Sequence, residues 1–142
     1  MSKYNNKKCE YNGIKFDSQM ELKFYLHLLE LQKDGIVRDI HLQPSYELLE
    51  AYEIEGKKVR PINYKADFKV IYTDGHEEVI DIKGFTTPDF LIKKKIFQHK
   101  YKTTLHCITF SKIDNGWINF DDLKKARKER KKLKEINKSN KI

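Results

Sequence analysis

The sequence predicts an α/β protein, a mixed β-sheet flanked by helices and followed by a basic C-terminal helix, and three patterns carry that reading. Residues 18 to 34 repeat apolar side chains at helical spacing, with Met20, Phe24, Leu28 and Leu31 on one stripe and Leu22, Leu26 and Leu29 on another. Residues 64 to 72 and 76 to 83 read as strands joined by one tight turn. A second helical stretch, 88 to 101, precedes an apolar run at 105 to 110. The chain of 142 residues is long enough for one core, and 39% hydrophobic with 12% aromatic content supplies its side chains.

In chain order, residues 1 to 10 read as a flexible polar N-terminus, 11 to 120 as the core domain and 121 to 142 as a basic helical tail. Tyr11 to Phe16 turn about Asn12-Gly13. The first helix starts at Ser18 and closes at Gly35. Strands are expected at Ile36 to Gln43, Tyr46 to Ile54, Val59 to Tyr72 with a bend near Pro61, and His76 to Lys83, with Glu55-Gly56 turning one hairpin. Thr87-Pro88-Asp89 reads as the cap and first turn of the second helix. After the strand Leu105 to Phe110 come an Asp114-Asn115-Gly116 turn and the tail helix from about Asp121, stapled to the core by Trp117 and Phe120.

Charge is distributed unevenly. The net charge is +8, and residues 121 to 142 hold ten Lys or Arg against four Asp or Glu, so most of the excess lies in the tail. A basic helix on a near-neutral core attracts phosphate without regard to sequence, through counterion release. Two cysteines, Cys9 and Cys107, suggest neither a disulfide framework nor a zinc site, and no two of the five histidines have metal-ligand spacing. No apolar run approaches the roughly 20 residues needed to cross a bilayer, and Met1 to Asn6 lack a signal-peptide core, so a cytoplasmic protein without a membrane partner is expected.

Chemistry is expected where charged groups interrupt buried strands. Successive strand residues alternate faces, which puts Asp81 and Lys83 on one side and Ile80 and Ile82 on the other. The same alternation places Tyr64, Ala66, Phe68, Val70 and Tyr72 on an apolar face and Lys65, Asp67 and Lys69 opposite it. If Thr73-Asp74-Gly75 forms a three-residue loop with Gly75 in the left-handed position, Tyr72 pairs with His76 and Asp67 faces Asp81; a two-residue loop would send Asp67 to the wrong side. Opposed side chains lie roughly 5 Å apart at Cβ, and two bare carboxylates that close need a proton or a cation between them. Hard oxygen ligands select Mg²⁺, Mn²⁺ or Ca²⁺ over zinc. A structural alternative is a cross-strand salt bridge of Lys83 with one aspartate.

Asp67, a gap of thirteen residues, then Asp81-Ile82-Lys83, behind a helix bearing Glu21, resembles the PD-(D/E)XK nuclease superfamily. The string from Tyr11-Asn12-Gly13 through Gln43-Pro44 to the lysines at 93 to 95 resembles small phage and prophage endonuclease-like proteins, and is also similar to junction-resolving and transposon-end-cleaving nucleases. The resemblance covers about residues 11 to 110. Ala66 stands where the superfamily's name has proline and Asp81 where glutamate is common, while Pro88-Asp89 spells the motif with no acid-x-lysine strand after it.

The resemblance implies an α-β-β-β-α-β core like that of restriction endonucleases and a Mg²⁺- or Mn²⁺-dependent DNA endonuclease. It implies Asp67 and Asp81 as metal ligands, the Ile82 carbonyl as a third, Lys83 as catalytic cation and Glu21 as ligand or orienting group. Ser18-x-x-Glu21 equally fits a capping box. Lys65, Lys69, Lys94 and Lys95, with Lys124, Lys125, Arg127, Lys128, Arg130 and Lys131 of the tail, are the expected DNA contacts. By analogy the chain would act as a homodimer in phage recombination or replication, in the host cytoplasm if phage-encoded. The alternatives are a binding module of the same fold that does not cut, and a subunit active only within a larger recombination or transposition complex.

Overall fold

A computed structural model describes residues 8–114 and 116–140. Residues 1–7, expected to be flexible, lie outside them, as does Asn115 of the expected turn. Cys9 and Glu10, read with the polar N-terminus, stand instead in β1 (Cys9–Tyr11), which pairs with β2 (Ile14–Phe16). Asn12 and Gly13 turn this ribbon with φ of 49° and 80°, the left-handed pair that a two-residue hairpin loop requires. Helix α1 (Gln19–Lys33) follows, its amide at Glu21 donating to the Ser18 hydroxyl at 3.1 Å.

The remaining elements are β3 (Val37–Leu42), β4 (Ser45–Leu49), β5 (Tyr52–Ile54), β6 (Lys57–Val59), β7 (Ile62–Lys65), β8 (Phe68–Tyr72), β9 (Glu77–Ile82), α2 (Pro88–Tyr101), β10 (Leu105–Ser111), β11 (Gly116–Asn119) and α3 (Phe120–Asn140). A five-stranded sheet runs β11-β10-β9-β8-β3. Its neighbours are antiparallel except β9 and β10, which are parallel, and a parallel pair needs a crossover such as α2 supplies. The α/β class and the mixed sheet are therefore as expected. Among the described residues no helix is long and apolar enough to cross a membrane.

Each face of the sheet carries its own core. On one side Phe24 and Leu28 of α1 pack with Val37, Phe68, Val70, Ile80 and Ile82. On the other, Phe90 and Phe97 of α2 pack with Val79, Leu105, Cys107 and Phe120. β9 alternates between them, Ile80 and Ile82 to the α1 side and Val79 to the α2 side, which carries Asp81 toward α2. The β8–β9 register is the one a Thr73-Asp74-Gly75 loop imposes: Phe68 opposes Ile80 and Val70 opposes Glu78, the Tyr72 amide donates to the His76 carbonyl at 2.9 Å, and Gly75 has φ 95°.

Three expectations are corrected. Residues 59 to 72 are not one strand bent at Pro61, because the chain breaks again at Ala66-Asp67. There the Ala66 amide donates to the Pro44 carbonyl at 3.0 Å and the Asp67 carbonyl accepts from the Gln43 amide at 2.9 Å. Consequently Tyr64 and Ala66 join the α2-side core while Phe68 and Val70 join the α1-side core, so the four do not share a face. Residues 46 to 54 likewise divide into β4 and β5. Finally, β11 is an additional edge strand: Trp117 opposes Phe110 and packs edge-on against Phe24 at 4.9 Å, so it staples a strand rather than the tail helix.

Candidate active site

Glu21 comes from the first turn of α1, Asp67 from the β7–β8 link, Asp81 and Ile82 from the end of β9, and Lys83 from the residue beyond it. All five line one cleft of about 400 Å³, together with Ser18, Tyr64, Lys65, Thr87 and Phe90. The β8–β9 register explains how two aspartates fourteen positions apart reach the same place, since continuing it beyond Phe68 and Ile80 brings Asp67 opposite Asp81.

Asp81 is only 3% exposed. The Tyr64 hydroxyl donates a short hydrogen bond to its Oδ2, and Lys83 Nζ lies 3.6 Å from the same oxygen. Lys83 is held from below as well, its ammonium 4.2 Å from the centre of the Phe90 ring. Burial first, then the charge of Asp81, raises the Tyr64 pKa, so this phenol remains a donor at neutral pH.

Asp67 accepts a hydrogen bond from the Ile82 amide at 2.8 Å. Its pKa is pushed up to about 9, chiefly by burial, then by the hydrogen bond and charge of Asp81 and by the charge of Glu21, against a smaller pull from the Ile82 amide. Glu21 is also raised, by burial first and then by the charges of Asp17 and Asp81, while bonds from the Ser18 side chain and the Asp17 backbone oppose the shift. The Glu21 amide thus completes the cap while its side chain lines the cleft with the two aspartates.

A buried aspartate and a half-buried one, backed by a glutamate, leave a place that a proton or a cation satisfies. A strand residue sends its N–H and C=O to the same flank, so the Ile82 amide bonded to Asp67 puts the Ile82 carbonyl on that flank too. Among the described residues no His or Cys side chain lines the cleft. Among the described residues no group of three or more His, Cys, Asp or Glu is gathered at ligating distance. Two carboxylates and a carbonyl nevertheless fit Mg²⁺ or Mn²⁺, which commonly take one or two protein carboxylates and fill the rest of the shell with water and phosphate.

The expected DNA contacts are scattered. Lys65 lines the cleft, but Lys69 Nζ sits 3.4 Å from Glu77. On α2 neither Lys94 nor Lys95 lines it; Lys93, which was not among the expected DNA contacts, lines the adjoining groove with Lys65 and Lys83. On α3 Lys124, Lys125, Arg127, Lys128 and Lys131 are exposed. Arg130 is committed elsewhere, to both oxygens of Asp114 at 2.9 and 3.4 Å. Gln98 of α2 accepts from the Leu105 amide at 2.9 Å and closes the α2–β10 turn. The contribution that sequence reading missed is Tyr64. A buried tyrosine hydroxyl usually has a partner, and placing Tyr64 on an apolar face left that partner unnamed.

Residues 1–115 match the model of a family described as "Protein of unknown function (DUF1064)". The chain belongs to this family. Neither the curated proteins nor the solved structures compared with it give a match. The segment matched to DUF1064 contains every residue of the cleft, whereas α3 lies beyond it.

Proposed function

We propose that the chain is a metal-dependent endodeoxyribonuclease that hydrolyses phosphodiester bonds of duplex or branched DNA, acting in the cytoplasm in phage recombination or replication. The observation that carries this reading is the meeting of Glu21, Asp67, Asp81 and Lys83 in one cleft. The order α1-β3-β8-β9-α2-β10, with β10 parallel to β9, supports the α-β-β-β-α-β core that the nuclease resemblance implies. Asp67, Asp81 and the Ile82 carbonyl would hold Mg²⁺ or Mn²⁺, with Glu21 as further ligand or orienting group. Such an ion, when bound, polarises phosphoryl oxygens and acidifies water.

The chain's own groups have distinct tasks. Tyr64 fixes the carboxylate of Asp81 by donating to one oxygen. Lys83, braced by Phe90 and Asp81, offers a cation to the charge that grows on phosphate oxygens during in-line displacement. Lys65 and the exposed lysines of α3 draw the backbone in.

A second reading, a binding module that does not cut, is favoured by one observation: Asp81 already has Tyr64 and Lys83 as partners, as a purely structural aspartate would. The two separate in one assay. Purified protein incubated with linear and branched DNA in Mg²⁺, Mn²⁺ or EDTA should give cation-dependent nicks, lost in Asp81→Ala and Lys83→Ala while binding persists. DNA bound but intact in every lane would overturn the nuclease in favour of the module, or of a subunit that needs a larger complex.

A further inference from the structure

Between β3 and β8 the chain leaves the main sheet as an arm, residues 45 to 65, whose base is the β4–β7 ribbon. α2 holds that base in place. Tyr46 and Tyr64 pack on Phe97 with ring centres 4.9 and 6.0 Å away, and Lys100 Nζ and Tyr101 Oη donate to the Glu47 carbonyl at 2.8 and 2.7 Å. Docked this way, β7 and the first turns of α2 line a groove of about 250 Å³ beside the candidate active site. The two share a wall: Tyr64, Lys65, Lys83, Thr87 and Phe90 line both. A strand lying in the cleft has an open continuation into the groove.

Their charges differ. Asp17, Glu21, Asp67 and Asp81 line the cleft and not the groove, whereas Lys93 lines the groove and not the cleft. The three ammonium groups of the groove, on Lys65, Lys83 and Lys93, come from β7, from the residue after β9 and from α2. One carboxylate, Asp89, joins them; chiefly a hydrogen bond with the Thr87 side chain, and in small part the charge of Lys93, holds it below the usual range. Lys83 already has Asp81 at 3.6 Å and the Phe90 ring as partners. Among the described residues neither Lys65 nor Lys93 makes an ion pair within 4.0 Å. Lys93 is half-buried, while Lys95 on the same helix is exposed. Cations gathered without an anion repel one another, and an oxyanion among them turns that repulsion into attraction.

We propose that the groove is a second phosphate subsite: with the scissile phosphate at Asp67 and Asp81, the next phosphate along the same strand is held between the ammonium groups of Lys65 and Lys93. The placement of the first phosphate rests on the nuclease reading; the affinity of the groove for phosphate does not. Lysine suits this task, because an ammonium binds phosphate as a point charge and needs no fixed fork geometry. Lys93 is then a positioning residue. It touches no reacting atom, and its contact with a non-reacting phosphate fixes where the scissile bond lies against the two aspartates. Asp17 and Glu21 on the α1 lip repel a flanking phosphate, so charge steers the strand toward β7 and α2.

Inorganic phosphate is the first probe. In EDTA, amide NMR spectra of the full chain titrated with it should shift at Asn63 to Lys65 and at Asp89 to Lys93. These shifts should vanish in Lys65→Gln/Lys93→Gln, whose circular dichroism spectrum stays that of wild type. No shift, shifts confined to α3, or shifts in β7 and α2 that survive the double substitution would overturn the subsite.

Calorimetry in Mg²⁺ then asks whether cleft and groove share a strand. Thymidine 3′,5′-bisphosphate should bind about tenfold tighter than thymidine 5′-phosphate or thymidine 3′-phosphate, the scale of one charge-assisted contact. Lys93→Gln should remove that advantage. A bisphosphate no tighter than either monophosphate, or an advantage unmoved by Lys93→Gln, would overturn the placement. The nuclease reading fails separately: intact DNA in the cleavage assay beside a retained bisphosphate advantage would remove the enzyme and leave the subsite standing.

Discussion

Asp67 in the cleft and Asp114 in the turn after β10 are the same side chain in opposite circumstances. Asp114 receives both guanidinium nitrogens of Arg130 and the Ser111 hydroxyl, and the Arg130 and Ser111 bonds hold its pKa below the usual range. Asp67 has one amide donor and two acidic neighbours, and burial with those neighbours drives its pKa the other way. An acid whose charge is fully answered pins a helix to a turn. An acid kept in want of positive charge is an unfinished site, and such opposed environments are where acid–base and metal chemistry separate from structure.

Asp67→Asn would break that contrast most sharply. The amide keeps an oxygen for the Ile82 amide and gains a donor toward Asp81, so the repulsion vanishes. We expect cleavage to fall on the order of 10³-fold, the scale of losing an electrostatic group aimed at the reacting charge, while the protein becomes more stable at pH 8. Thermal denaturation beside a nicking assay checks both. Loss of stability together with activity would mean that Asp67 is structural.

The pH dependence of stability follows from the same shift. Folding raises the Asp67 pKa from 3.8 to about 9, so across that window the native state holds a proton that the unfolded chain has released. Stability contributed by the protonated group is complete below pH 3.8 and is lost as pH climbs toward 9. Urea titrations of the metal-free protein at pH 5, 7 and 9 should show the decline, and Asp67→Asn or saturating Mg²⁺ should flatten it.

α3 should behave as an affinity device rather than a catalytic one. Truncation must spare Phe120 and Leu123, which are buried, so charge removal is the cleaner probe. Lys124→Gln/Lys125→Gln/Lys128→Gln/Lys131→Gln should weaken DNA binding about tenfold and flatten the dependence of log K on log salt by about 2 to 3 units. Single-turnover cleavage of saturated DNA should be unchanged. Asp114→Asn should do least: a fall in Tm of a few degrees at most, as a half-buried ion pair at the surface gives, and no change in cleavage.

What could be read in advance was local chemistry. Ser18 and Thr87 cap their helices where expected, α2 begins at Pro88, and the Thr73-Asp74-Gly75 loop sets a register that brings Asp67 to Asp81. The misreadings arose where distant chain decides. Nothing within residues 59 to 72 signals the break at Ala66-Asp67, because Gln43 and Pro44 impose it through backbone bonds from across the arm. Once that break turns Tyr64 to the α2 side, its hydroxyl meets Asp81, a contact invisible to strand alternation. β11 was hidden because Gly116 to Asn119 is too short for periodicity and is recruited by pairing with β10.

The most direct measurement is a crystal soaked in Mn²⁺ with data collected at the manganese absorption edge. The account predicts one anomalous peak touched by carboxylate oxygens of both Asp67 and Asp81, at about 2.0 to 2.3 Å as hard divalent ions require, and gone in Asp81→Asn. A cleft without a peak at saturating Mn²⁺, or a peak that leaves either aspartate out of contact, would contradict it.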